Sequence, residues 1–113
     1  MRDAQLFNER GELLARLMIC TSLWEGIRGL LGRPEPGPGQ GLLLARCNAV
    51  HTIGMRYPID VVFLDKDDRV VRIVEAMKPV RQAQHRKAKK VIEFKAGEAA
   101  RLGIGVGCLL DWR

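Results

Sequence analysis

Residues Ile59–Met77 read IDVVFLDKDDRVVRIVEAM, and the architecture turns on this stretch. Ile59–Asp65 is an apolar run that begins directly after Pro58, a residue tolerated at the start of a strand. Arg69–Met77 is the returning strand. The loop between them is Lys66-Asp67-Asp68, with Asp68 in the left-handed region and Asp65 facing Arg69. In that register Ile59, Val61 and Phe63 share a face with Val71 and Ile73. Asp60, Val62 and Leu64 share the other with Val70, Arg72 and Val74. Both faces are largely apolar, so the hairpin is expected to be central. Asp60 then needs a partner, because a buried carboxylate is costly unless paired. Arg72, diagonal on the same face, is the structural answer and Arg56 the alternative; a functional acid is the rival reading.

The flanking sequence adds more strands and little helix. Residues 3–7 and 12–19 read as strands around the turn Asn8-Glu9-Arg10-Gly11, where Gly11 supplies a positive φ. In SLWEGIRGLLGRP, Ser22 and Glu25 have capping-box spacing. Leu23, Ile27, Leu30 and Leu31 follow at helical spacing, and Gly32 with Pro34 ends the helix. Gly26 and Gly29 in so short a helix suggest close approach of another backbone. Residues 34–41, PEPGPGQG, form an exposed loop, with a lid as the ambitious reading. Leu42–Arg46, Lys90–Lys95 and Val106–Trp112 are strands, and Gly97–Leu102 is one or two helical turns stopped by Gly103. There is no alternation of strand and helix. The fold class expected is mainly β: a small antiparallel jelly-roll-like sandwich or barrel with one or two short helices.

The chain of 113 residues, 47% hydrophobic and 28% charged, is expected to form a single domain over residues 1–113. Its three cysteines, Cys20, Cys47 and Cys108, have no metal-type spacing. Each sits in an apolar run, as reduced, buried thiols do. The first residues, MRDAQLFNERGELL, lack the apolar core of a secretory signal, and no stretch is apolar enough to span a bilayer. A cytoplasmic location and no membrane partner are expected. The net charge of +6 is concentrated in KPVRQAQHRKAKK, where Lys78, Arg81, Arg86, Lys87, Lys89 and Lys90 lie with His85 and no acid. A nucleic-acid or acidic-partner role is the sharp reading of that segment. The absence of an aromatic residue disfavours single-strand binding, and a solvated loop leading into a strand is the plainer reading.

Three blocks of the chain resemble a known family, the domain-of-unknown-function 192 family of small bacterial and archaeal proteins. Arg28-Gly29-Leu30-Leu31-Gly32-Arg33 is similar to the family's R-G-L-[LM]-G-R. His51–Asp65, HTIGMRYPIDVVFLD, is similar to H-T-x-x-M-x-x-P-[IL]-D-V-x-F-[LI]-D. Val91–Gly97, VIEFKAG, is similar to V-[LI]-E-x-x-A-G. Members usually carry glycine where this chain has Asp68, and Gly-Asp where it has Gly107-Cys108. The resemblance implies a mainly β, jelly-roll-like domain and no particular activity.

The residues with chemistry to offer are few. His51 titrates near neutral pH, takes metals and transfers protons; with Asp60 to orient it and Thr52 or Cys47 as nucleophile it would make a hydrolase. The structural alternative has His51 bridging backbone groups beside a glycine bend. Two histidines cannot furnish a zinc site alone, and neither metal nor cofactor is expected. Glu93 lies on the same face as Val91, with the same choice as Asp60 between pairing and function. Arg28 and Arg33 flank the end of the first helix, where cations gain about half a kcal/mol, and could hold an anion. Met55 and Tyr57 could line a pocket or the core. Gly103–Gly107, GIGVG, leads into a strand instead of opening a helix, so it is not a phosphate loop.

The leading reading is a non-enzymatic module that binds a small, anionic ligand or a protein near the HTIGM bend. Its candidate residues are His51, Thr52, Met55, Asp60, Arg28 and Arg33. Whether the chain is an enzyme stays open: the alternatives are a hydrolase built on His51 and Asp60, and a basic-segment binder of nucleic acid.

Overall fold

The computed structural model describes the backbone of residues 1–113 and every side chain except those of Leu23, Trp24 and Ile27. Nine strands and two short helices run in the order β1 (Arg2–Phe7), β2 (Leu13–Ile19), α1 (Leu23–Arg28), β3 (Gln40–Ala45), β4 (Ala49–His51), β5 (Ile59–Leu64), β6 (Val70–Met77), β7 (Gln82–Gln84), β8 (Lys90–Lys95), α2 (Glu98–Arg101) and β9 (Asp111–Trp112). Seven form one sheet in the order β6-β5-β8-β3-β2-β1-β9, and β4 pairs with β7 in a second. The fold is mainly β, as expected. All pairs are antiparallel except β2 with β3, whose connection carries α1 across as a parallel pair requires.

The hairpin is central. β5 lies between β6 and β8 and is buried at every position, which is why its sequence, Asp60 apart, is apolar without alternation. One face packs Val62, Leu64, Ile92, Phe94, Leu43 and Leu17 against Ala99 of α2, Ile104 and Leu110. The other packs Ile59, Val61, Phe63, Val91, Leu42 and Leu44 beneath the small sheet and the turn after α1. Gly41 is glycine because the Phe94 ring occupies its side-chain space: a Cβ there would stand 2.7 Å from Cε1.

Two bulges correct the expected register. Phe63 pairs with Arg72 but Leu64 with Val70, leaving Val71 as the extra residue. A one-residue slip exchanges faces, so Val71, Arg72 and Val74 lie with Phe63 and Val61, while Ile73 joins Val62. Asp60 and Arg72 therefore project from opposite faces and do not pair. Arg72 stands 6.0 Å from the Phe63 ring centroid and donates from Nη1 to Gln84 O at 2.7 Å, tying down β7. The second bulge, opposite Asp60, aims the amide of Ala76 at its carboxylate.

Other expectations shift in smaller ways. Ser22 Oγ accepts from Glu25 N at 3.1 Å, half of a capping box, while the Glu25 carboxylate accepts from Thr21 instead. The helical spacing of Leu23 and Ile27 lies outside the described side chains. Nothing approaches Gly26, and what packs on Gly29 is a side chain, not a backbone. Only Asp111–Trp112 of the expected last strand pairs as strand; Val106 and Gly107 turn instead, and Leu109 makes an isolated bridge with Arg69. Asp68 does adopt the left-handed conformation, at φ 65°, and its carboxylate pairs with Lys90. Cys108, where the family pattern has Asp, caps its turn through sulfur, Gly105 N donating to Sγ at 3.4 Å.

Candidate functional site

A cleft of about 640 Å³ opens on the face covered by the small sheet. α1 and the turn after it form one wall. The end of β3, Arg46, Cys47 and β4 form the other, and the bend with Ile53 and Met55 closes one end. Glu93 of β8 belongs to the floor. The alternation of β8 puts Glu93 on the same face as Val91, between Leu42 of β3 and Val61 of β5, with its side chain 4% exposed.

Glu93 is the unusual group. Its Oε1 has no hydrogen-bond partner among the described residues. Burial pushes its carboxyl up from 4.5 to about 7, and the nearby Leu30 backbone N–H offsets only part of that. Gly29 makes room for it: a Cβ on Gly29 would stand 3.1 Å from Oε1, and Gly29 holds φ 54° and ψ −129°, a conformation open to glycine alone. The turn over the carboxylate is tied by Arg33 Nε donating to Gly29 O at 2.8 Å and Arg28 Nε to Leu31 O at 3.0 Å. Tyr57 Oη donates to Arg33 O at 3.1 Å, joining the bend to the same turn. Burial raises the Cys47 thiol with help from the Glu93 charge, and raises Cys20 to about 11. Neither thiol is a ready nucleophile, since the thiolate is the reactive form.

The three motif blocks converge on this cleft. Arg28, Gly29, Leu30 and Leu31 come from the first, His51, Ile53 and Met55 from the second, and Glu93 from the third. The model of the DUF192 family, described as "Uncharacterized ACR", matches residues 6–112. The chain belongs to the DUF192 family. A search among curated proteins finds none that matches. Two solved structures share the fold. One is a protein of unknown function from Novosphingobium aromaticivorans, with TM-score 0.82 and 24% identity over 97% of this chain and 84% of that one. The other is a candidate transcription regulator from Sinorhizobium meliloti, with TM-score 0.83 and 22% identity over 97% of this chain and 92% of that one.

Within this DUF192 domain the candidate residues separate. His51, Met55 and Arg28 line the cleft. Thr52 is wholly buried and acts as a peg: its Oγ1 donates to Lys78 O at 2.7 Å and accepts from Arg81 N at 2.8 Å. Asp60 accepts from the amides of Ala76 at 2.8 Å, Gly97 at 3.0 Å and Ala99 at 2.9 Å, on the face opposite the cleft. Three backbone donors satisfy a buried carboxylate without any arginine, so neither Arg72 nor Arg56 is needed. His51 and Asp60 lie on opposite sides of the sheet and cannot form a catalytic pair. Arg33, engaged by Gly29, lines a separate cleft of about 400 Å³ with Met1, Asp3 and Arg16.

The basic segment is partly structural. Arg81 clamps Thr52 through its backbone, Lys89 N donates to Leu64 O at 2.7 Å, and Lys90 is paired with Asp68 beside the Trp112 ring. Lys78, Arg81, Arg86, Lys87 and Lys89 remain exposed. Among the described residues no group of three or more His, Cys, Asp or Glu could hold a metal ion, and no helix is long and apolar enough to cross a membrane.

Sequence reasoning passed over Glu93 as the centre of the site. The signal was there: a lone acid at an inward position of a strand whose other inward residues are apolar, facing a motif rich in glycine.

Proposed function

We propose that this protein is a non-enzymatic small-ligand-binding β-module whose ligand occupies the cleft under α1 and the HTIGM bend. The observation that carries the reading is Glu93: a buried carboxylate in the floor of a cleft of about 640 Å³, with one oxygen unpartnered among the described residues. A volume of this order suits a small organic molecule. Leaving such an oxygen unsatisfied costs about 1–3 kcal/mol or more, and a donor on a bound ligand would remove that cost. Two features favour a non-enzymatic role: burial raises the Cys20 and Cys47 thiols, and among the described residues no carboxylate bonds His51. Arg28, His51, Met55 and Glu93 are the proposed contacts; Thr52 and Asp60 act by holding the walls.

Ligand-observed NMR with a fragment set spanning neutral, cationic, anionic and zwitterionic molecules tests this. Binders of the wild type should lose affinity with Glu93→Gln and keep it with Lys87→Glu, a change on the exposed basic segment outside the cleft. Fragments that bind both wild type and Glu93→Gln alike, or no binders at all, would refute it.

A nucleic-acid role rests on charge alone. The Sinorhizobium relative is described as a candidate transcription regulator, but likeness at that identity carries only the fold.

A further inference from the structure

The charges along the cleft specify the kind of ligand, an inference that rests on the binding reading above. Glu93 is the one acidic residue among the described residues of the lining, and it is the most deeply placed charge. The cationic side chains of the lining, Arg28 and Arg46, are exposed, as is His51. Neither arginine makes an ion pair among the described residues; Arg28 Nε bonds Leu31 O, and no acceptor is found for its terminal nitrogens. Arg46 holds a left-handed backbone at φ 55°, a conformation that costs a non-glycine residue about 1–2 kcal/mol. Leu44, Val50 and Met55 provide apolar surface on the same lining.

Among the described residues no cation pairs with Glu93. The titratable groups that feel its charge are Cys20 at the end of β2, Cys47 after β3 and Tyr57 before β5, all held neutral by burial. Arg33 faces Gly29 O instead. A plain amine would suit Glu93 but meet cations at the mouth. A plain anion would suit the mouth and leave Glu93 unsatisfied.

We propose that the cleft binds a small zwitterion, with a primary ammonium on the Glu93 carboxylate, an apolar body against Leu44, Val50 and Met55, and a carboxylate or phosphate at Arg28 and Arg46. Charge-assisted hydrogen bonds at both ends would fix its direction.

Amide-detected NMR titrations of the full chain at pH 8 test this with ω-amino acids of four, six and eight carbons, their matching alkylamines and their matching alkanoates. At least one amino acid should bind at least about tenfold more tightly than either single-headed match, the difference expected of a lost charged hydrogen bond. Amide shifts should centre on Leu30, Leu44 and Cys47. Glu93→Gln should bring its affinity down to that of the alkanoate, and Arg46→Gln towards that of the alkylamine. Lowering the pH to 6 should weaken binding, because Glu93 gains a proton while the ammonium keeps its charge. Alkanoates that bind as well as the amino acids, or affinity that rises on acidification, would overturn the zwitterion. So would silence of the whole series. If other fragment classes then shift the same amides in a Glu93-dependent way, the binding reading stands and only the ligand class fails; if none does, both fail.

Discussion

Glu93 should make the protein less stable as the pH rises through neutrality, against the usual behaviour of carboxylates. Its carboxyl titrates at about 7 in the folded chain against 4.5 as the ordinary value. Below pH 4.5 the group is protonated whether folded or not, and it contributes no penalty. Between those values the unfolded chain releases the proton and the folded chain keeps it, so unfolding is favoured progressively. Above about 7 both states are ionised and the full penalty applies. At about 1.4 kcal/mol per pKa unit the loss is about 3 kcal/mol. That is a large share of the 5–15 kcal/mol typical of a domain. Glu93→Gln removes the titration while nearly keeping the shape. Urea unfolding of both proteins at intervals from pH 4.5 to 8 would isolate it. Asp65 and Glu98, whose carboxyls are held low by hydrogen bonds from Arg69 and Arg101 respectively, titrate below this window and are common to both proteins. The variant's advantage should widen by about 3 kcal/mol across the range, or about 2 M in urea midpoint for a slope near 1.5 kcal/mol/M. Parallel curves would refute the reasoning. A wild type that gained on the variant with rising pH would show that Glu93 has a cationic partner.

Further outcomes follow from the same geometry. Asp60→Ala leaves three amides without an acceptor, that of Ala99 buried and those of Ala76 and Gly97 partly so, and should cost roughly 4 kcal/mol, while Asp60→Asn, which can keep the Gly97 and Ala99 bonds, should cost about half of that; urea midpoints decide. Thr52→Val should cost about 2 kcal/mol by freeing Lys78 O and Arg81 N, and amide exchange should speed up locally around residues 78–81. Cys47 should alkylate with iodoacetamide more slowly than an unhindered thiol at pH 8, and more slowly still with the cleft occupied; an unchanged rate on saturation would separate the ligand from this cleft. Reversing Lys78, Arg86 and Lys87 to Glu should leave cleft binding unchanged, and the wild type should not retard DNA or RNA at low salt; retardation that falls steeply with salt would revive the nucleic-acid reading.

The parts of the fold that could be read from the chain were those where one local rule decides. β5 follows from a run that is apolar but for Asp60, β8 at Lys90–Lys95 follows from alternation, and the left-handed turn at Asp68 follows from hairpin geometry. What local rules could not supply is which side of a strand a residue occupies once a bulge intervenes. The extra residue at Val71 moved Arg72 and Val74 to the other face, and the register alone gave no sign of it. β4 and β7, three residues each, are too short to show a period.

The same limit explains the site. Asp60 stood out because it is a charge in a strand, yet its partners are backbone amides, and amides are invisible in a list of side chains. Glu93 obeys an identical sequence logic and has the opposite environment, because the turn that covers it presents a glycine in place of a ring of donors. The two acids project from opposite faces of adjacent strands, one satisfied three times over and one left with an open oxygen. A fold that can satisfy one buried carboxylate so fully has no structural reason to strand the next. On the binding function proposed above, the open oxygen at Glu93 is the position that a donor on the ligand would fill.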